Sequence, residues 1–242
     1  LPFINKPLNK ITSQDLASWR DARLQTTKPA TVRRDLINLS HLFEVARKEW
    51  QWVVANPITN IKKPQNNKPR DRRITSIEIE QILTALDYQA QKPPIKKIHE
   101  LAYVFLLALE TAMRRGEILG LKVSDISLKD KFLTLEDTKN GDKRFIPLSN
   151  KAIDLLKILI ANAKDKTRDN LFTLNGDVCN SLFIAYRRKI GIDDLHFHDT
   201  RHEAITRLAQ KLDVLDLARM TGHRNINQLR TYYNATPTEI AN

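Results

Sequence analysis

The 242-residue chain contains one cysteine, Cys179. A lone thiol excludes an intramolecular disulfide and argues against a structural zinc site, which takes several thiolates or imidazoles. No apolar run approaches the roughly 20 residues that a membrane-crossing helix needs. The first residues show no secretory leader. The chain opens on Leu1 rather than Met, as expected of a fragment. His198 and His202 stand four residues apart, a spacing that suits metal, but outside any HExxH pattern and without a carboxylate or cysteine at ligand spacing. No metal site and no cofactor are therefore expected. No internal repeat is visible.

Positive charge, in contrast, is abundant. Forty Lys and Arg face 28 Asp and Glu, for a net charge of +12 and a pI near 9.8. Such an excess points to a polyanionic partner, nucleic acid first and an anionic membrane surface second. Solubility alone is the plainer alternative. The excess is uneven. Residues 1–73 hold 15 basic and 6 acidic residues, and residues 74–242 hold 25 and 22. The electrostatic grip thus lies in the first third.

The pattern divides the chain into a helical unit over 1–61, a basic linker over 62–73 and a larger domain over 74–242. In the first, "TSQDLASWRDARLQ" (12–25) is a helix capped by Thr12 or Ser13. A longer helix follows, with Val32, Leu36, Leu39, Leu42, Phe43 and Ala46 on its apolar face. Arg33 and Arg34 fall off that stripe, free to meet phosphates, and Trp50 and Trp52 are expected to close the unit. The linker lacks apolar periodicity and carries Lys62, Lys63, Lys68, Arg70, Arg72 and Arg73. "TSIE" at 75–78 is a capping-box signature. "HELAYVFLLALETAMR" is apolar nearly all round, as a buried helix must be. Two β-type runs flank "KNGDK", where Asn140-Gly141 signals a hairpin. Helices resume near 150. The expected fold is mainly α with a small antiparallel β-hairpin or sheet.

Four places hold residues suited to chemistry. Arg114 ends the buried helix with Glu117 three residues on, either a structural ion pair or a working charge. Lys139 flanks the hairpin turn, where a lysine is usually solvated. His198 and Arg201 lie three apart and share a helix face, with His202 beside them. Gly222-His223 separates two helical patterns and reads almost as well as a helix-turn-helix. Two adjacent tyrosines follow. If 225–234 is helical, Tyr233 falls on the stripe of Ile226 and Leu229, and Tyr232 falls with Asn225 and Gln228 on the polar side. Helical phase thus favours Tyr232 as the reachable hydroxyl, and a loop there would remove that preference.

Taken together, the order Arg114, Lys139, His198-x-x-Arg201, Gly222-His223 and a tyrosine nine residues past His223 resembles the tyrosine recombinase (phage integrase) family. Tyr232 is the residue at that spacing. "NPITNIKKP" and "RDRRITSIEIEQIL" resemble the family's interdomain junction and catalytic-domain entry, so the likeness covers most of the chain. "KPATVRRDL", "ARKEW" and "FHDTRHEAI" are most similar to phage- and plasmid-encoded integrases, with a shufflon-type DNA invertase as one candidate. Four features depart from the family. Ala112 stands where glycine is common, and Thr221 stands where leucine is common. About ten residues follow Tyr232, so the C-terminal helix that packs in trans is expected to be short or absent. The N-terminal domain also looks short.

The resemblance implies a helical core-binding domain followed by a catalytic domain. It implies site-specific recombination (integration, excision or inversion) by transesterification, without metal or cofactor, through a covalent 3′-phosphotyrosine. Tyr232 would be the nucleophile and Arg114 and Arg201 the phosphate clamp. Lys139 would be the general acid on the leaving 5′-oxygen, His198 the proton acceptor or shuttle, and His223 a hydrogen-bond donor to the phosphate. Glu117 would support Arg114, and His202 would be structural. Implied partners are double-stranded recombination sites, a homotetramer on two duplexes and accessory DNA-bending proteins, in the bacterial cytoplasm and away from membranes. A type IB topoisomerase shares the chemistry without a defined site. A helix-turn-helix regulator would bind DNA without cutting it.

Overall fold

The computed structural model describes residues 3, 5–65, 70, 72–136, 143–165 and 168–233. The chain divides into two compact units, Leu1–Arg70 and Asp71–Asn242. Among the described residues, no helix is long and apolar enough to cross a membrane.

In the first unit, α1 (Ser13–Leu24) starts at Thr12. The Thr12 hydroxyl accepts from the Asp15 amide, and the Asp15 carboxylate accepts from the Thr12 amide at 3.0 Å. Both orphan donors of the first turn are thus satisfied. In α2 (Pro29–Lys48), proline occupies the first position, where its missing N–H costs no intrahelical bond. Leu16, Trp19, Leu36 and Phe43 from the two helices close on Phe3, Ile58 and Ile61. Burying one such large side chain contributes on the order of 1.5–3 kcal/mol. Trp50 and Trp52 do not close this core. Gln51 adopts a left-handed backbone (φ 57°), and the two indoles lie against each other outside, tilted by 43° with 4.6 Å between centroids and Trp52 62% exposed. Asn56 does the closing: its amide donates to the Ser40 carbonyl and the Glu44 carboxylate, and its oxygen accepts from the Ile58 amide. Leu42, at the edge of the apolar stripe, is also exposed.

In the second unit, α3 (Ser76–Ala85) is opened by the predicted capping box. Thr75 Oγ1 accepts from the Glu78 amide and Glu78 accepts from the Thr75 amide at 2.9 Å. The near-continuous apolar run becomes α4 (Lys97–Thr111), with Leu101, Val104, Phe105, Leu107 and Ala108 buried. α5 (Arg115–Leu119) follows at once. Next come β1 (Ile126–Ser127), β2 (Phe132–Leu135) and β3 (Arg144–Pro147) in one antiparallel sheet of order β1-β2-β3. The predicted hairpin arms are β2 and β3, with Leu133 opposite Ile146 and Leu135 opposite Arg144. β1 adds a third strand that the sequence pattern did not announce. The turn itself, with Lys139 and Asn140-Gly141, lies outside the described residues. Then come α6 (Asn150–Asp165), α7 (Gly176–Lys189), α8 (Asp199–Ala209) and α9 (Val214–Thr221). α4 is the central element, packed by α5, α6, α7 and α8. This is the expected mainly helical fold with a small antiparallel sheet.

Within 225–233 the chain forms two 3-10 turns, Ile226–Gln228 and Arg230–Tyr232, rather than the helix that would have separated the two tyrosines by phase. The Asn225 side chain accepts from the Asn227 amide at 3.0 Å, a local bond that competes with helix propagation.

The segment 62–73 is not all connector. Arg72 pairs with Glu78 and with Asp194, and Arg73 Nε donates to Glu203 at 2.6 Å. Buried Glu203 also accepts from Arg207 at 2.7 Å and from the Ile74 amide. These bonds outweigh the burial that opposes its ionisation, and hold its pKa below the usual carboxylate range.

Candidate active site

The site is assembled where two helices stop. α4 ends at Ala112, which is fully buried and adopts the left-handed conformation (φ 53°, ψ 19°). α9 ends at Gly222, also left-handed (φ 70°), with the His223 amide reaching back to the Ala218 carbonyl at 3.0 Å. That is the Schellman pattern of a helix stop. Both ends leave carbonyl oxygens that the helix itself cannot satisfy.

Buried arginines satisfy them. Arg201, on α8 and 4% exposed, donates from Nη1 to the Ala112 carbonyl and from Nη2 to the Thr221 carbonyl at 2.6 Å. The negative ends of both helix dipoles thus face one guanidinium, the favourable sense. Burial, and next the charge of Arg114, lower the Arg201 pKa to about 10, so it stays protonated at neutral pH.

Arg114 caps α5 and remains 30% exposed. Its Nη1 donates to Glu117 Oε1 at 2.9 Å, and its amide donates to Glu117 Oε2 at 2.7 Å. Glu117 also accepts from Arg144 Nη2 at 2.7 Å. Burial opposes its charge, yet the bonds from Arg144 and Arg114 prevail and its pKa is lowered. Arg144 was missed by sequence reasoning. The signal was present: β3 alternates inward and outward, so an inward Ile146 puts Arg144 inward too.

Two imidazoles join the cluster. His198 sits at the start of α8, open to solvent on one edge yet enclosed enough that burial, then the Arg201 charge, lower its pKa. His223 is held to about 4, by burial first and then by Arg201, Arg114 and Arg144. Its Nδ1 lies 2.6 Å from Thr221 Oγ1, whose own proton goes to the Leu217 carbonyl. One hydroxyl proton cannot serve both, so Nδ1 carries the hydrogen and Nε2 is left as an acceptor. A cleft of about 330 Å³ opens here, lined by Arg115, Gly116, Asn180, His196, His198 and Arg201.

The two tyrosines have different surroundings. The Tyr233 hydroxyl donates to the Leu212 carbonyl at 2.9 Å. The Tyr232 ring lies against His202, 5.0 Å between centroids, and the Arg201 charge reaches its phenol. Burial raises the Tyr232 pKa and Arg201 opposes the rise. One cluster thus gathers Arg114, Arg201, His198, His223, Tyr232, Glu117 and His202, and adds Arg144. Lys139 and Lys68 lie outside the described residues. In the first unit, Arg34 and Lys62 are exposed, Lys63 is half-buried, and Arg33 donates to the Pro64 carbonyl at 3.1 Å. Arg70 is exposed. Among the described residues, no group of three or more His, Cys, Asp or Glu is placed to hold a metal ion.

Comparison with known proteins adds an independent line. The model of the phage integrase family matches residues 72–239. A putative integrase/recombinase of Haemophilus influenzae is 33% identical over 241 residues, covering 99% of this chain and 78% of that protein. A shufflon-specific DNA recombinase of Escherichia coli is 39% identical over 241 residues, but the chain spans only 60% of its length. Among solved structures, a lambda integrase tetramer bound to a Holliday junction superposes with a TM-score of 0.68. It is 20% identical, with 91% of this chain and 66% of that one covered.

Proposed function

Since the chain belongs to the phage integrase family of site-specific tyrosine recombinases, we propose that it cleaves and rejoins DNA strands through a covalent 3′-phosphotyrosine at Tyr232. The observation that carries this is buried Arg201, which ties the Ala112 carbonyl, two residues before Arg114, to the Thr221 carbonyl, two residues before His223, while the Tyr232 ring rests on His202, the next residue of the same helix.

The chemistry follows from the groups. Tyr232 Oη attacks phosphorus, the bond to the 5′-oxygen breaks, and that oxygen leaves as a hydroxyl. A hydroxyl of another strand reverses the step, so the bond energy is kept and no nucleotide cofactor is consumed. Arg114 and Arg201 offer planar donors to the non-bridging oxygens, whose charge grows in the pentacovalent transition state. The phenol has to lose its proton, and at an ordinary pKa near 10 little phenolate exists at neutral pH. His198 is the proposed proton acceptor. His223 Nε2 starts as an acceptor; a bound phosphate offsets the surrounding arginines and favours its protonation, making it a donor to that phosphate. Lys139 remains the proposed acid for the leaving oxygen. His202 supports the Tyr232 ring.

The grip on the duplex falls to Arg33, Arg34, Lys62, Lys63, Lys68 and Arg70, through salt-sensitive phosphate contacts. Arg72 and Arg73 contribute less, because carboxylates of the second unit already engage them. Strand exchange joins two cut duplexes, so the proposed assembly is a homotetramer, as lambda integrase forms on a Holliday junction. The shufflon-specific relative favours inversion among the three outcomes.

The test uses the full-length protein in EDTA with nicked duplexes tiled across the DNA flanking its own gene. An adduct that survives SDS is expected, and Tyr232→Phe abolishes it while Tyr233→Phe does not. DNA retention without any adduct would instead establish a non-cutting regulator. Relaxation of supercoils at random positions, with no strand exchange between two sites, would establish a topoisomerase.

A further inference from the structure

Resting on the recombinase reading, we infer that Arg144 is a positioning residue for strand cleavage: one planar guanidinium fixes both the carboxylate that holds Arg114 and the helix end that carries His223. Arg144 is 7% exposed and lines, with Gly222 and His223, a cavity of about 720 Å³. Its Nη2 donates to Glu117 Oε2 at 2.7 Å, and its Nε donates to the Met220 carbonyl at 3.1 Å. Glu117 in turn holds both the side chain and the amide of Arg114.

The α9 terminus closes on this arginine. A Cβ at Gly222 would lie 3.3 Å from Arg144 Nη1 and 3.4 Å from its Cδ. The residue after Gly222 is His223, whose pKa already registers the Arg144 charge. Two successive carbonyls of α9, Met220 and Thr221, are therefore taken by two different arginines, Arg144 and Arg201. Arg201 ties this helix end to α4, and Arg144 ties it to α5 and the sheet. A lysine cannot copy the second tie, since a single ammonium lacks the rigid fork that meets a carboxylate and a carbonyl together. Without Arg144, Glu117 keeps its burial but loses a partner, and both Arg114 and the His223 turn gain freedom to shift. A shift of about 1 Å in such groups costs on the order of 10²-fold in rate.

A purely structural ion pair would leave the same bonds, so the test needs a readout tied to phosphate charge. Adduct formation is timed on nicked DNA with an ordinary scissile phosphate, and on DNA with methyl in place of one non-bridging oxygen. The methyl form carries no charge there, so a misplaced arginine clamp matters less. Arg144→Gln is expected to slow adduct formation about 10²-fold on ordinary DNA, with DNA affinity barely changed. On methyl DNA the penalty shrinks about tenfold or more, in parallel with that of Arg114→Gln. Should Arg144→Gln not fold, Arg144→Lys is compared on both DNAs in the same way. An unchanged rate on ordinary DNA, or an equal penalty on both, overturns the inference. A parent protein that forms no adduct on ordinary DNA would refute the recombinase reading, and this inference with it.

Discussion

The two helix ends beneath the site solve one problem with different residues. α4 stops at Ala112 and α9 stops at Gly222, both left-handed, and Arg201 binds a carbonyl at each. Gly222 suits its position twice, by backbone conformation and because Arg144 lies where a side chain would begin. Ala112 carries its Cβ into a conformation that costs an L-residue roughly 1–2 kcal/mol. The methyl is nevertheless buried against Ala204, Ile205 and Leu217. The comparison teaches that the site's central cation is seated by backbone geometry, with side-chain identity adjusting the fit.

Four measurements probe how these helix ends and the residues on them behave. The largest effect is expected from Arg201→Lys. A lysine cannot bridge both carbonyls or offer a bidentate fork, so adduct formation should fall by about 10²–10³-fold. Gly222→Ala comes next. It meets both the left-handed backbone and Arg144, and should lower the unfolding free energy by about 1–3 kcal/mol in urea titration. A smaller effect is expected with pH. His198 and His223 have folded pKa values below their unfolded ones, so the unfolded chain binds more protons as pH falls from about 6.5. Stability of the DNA-free protein is present above that pH and is lost as it falls toward about 4, where His223 titrates in the folded state. Thermal melts between these limits should show that slope, and His223→Gln should flatten it. Smallest is Ala112→Gly, expected to stabilise the protein by up to about 1 kcal/mol, as strain relief exceeds the lost methyl contact. A destabilised Ala112→Gly would mean that packing, rather than backbone strain, dominates that helix end.

Legibility in the sequence followed the range of the interactions. Local signals were readable: a cap at Thr12 or Ser13, the Thr75 capping box, the buried run of α4, and the two β-type runs that form β2 and β3. So was the order of Arg114, His198, Arg201, His223 and Tyr232. Long-range bonds were not. Arg73 and Glu203 are 130 residues apart, and nothing near either announces the other. Arg144 looked like one more basic residue after a basic turn, although its phase with Ile146 pointed inward. The preference for Tyr232 drew on a helix that gives way to 3-10 turns. What distinguishes the tyrosines in the fold is the Leu212 carbonyl on the Tyr233 hydroxyl and the His202 ring against Tyr232. The indoles at Trp50 and Trp52 show the opposite failure: apolar character alone did not place them inside.

The most direct measurement is mass spectrometry of the protease-digested protein–DNA adduct, with fragmentation to locate the nucleotide. The expected result is a phosphodeoxynucleotide on Tyr232, with the 3′-phosphate linked to the phenol. A nucleotide on Tyr233, or on any residue remote from Arg201, would contradict it.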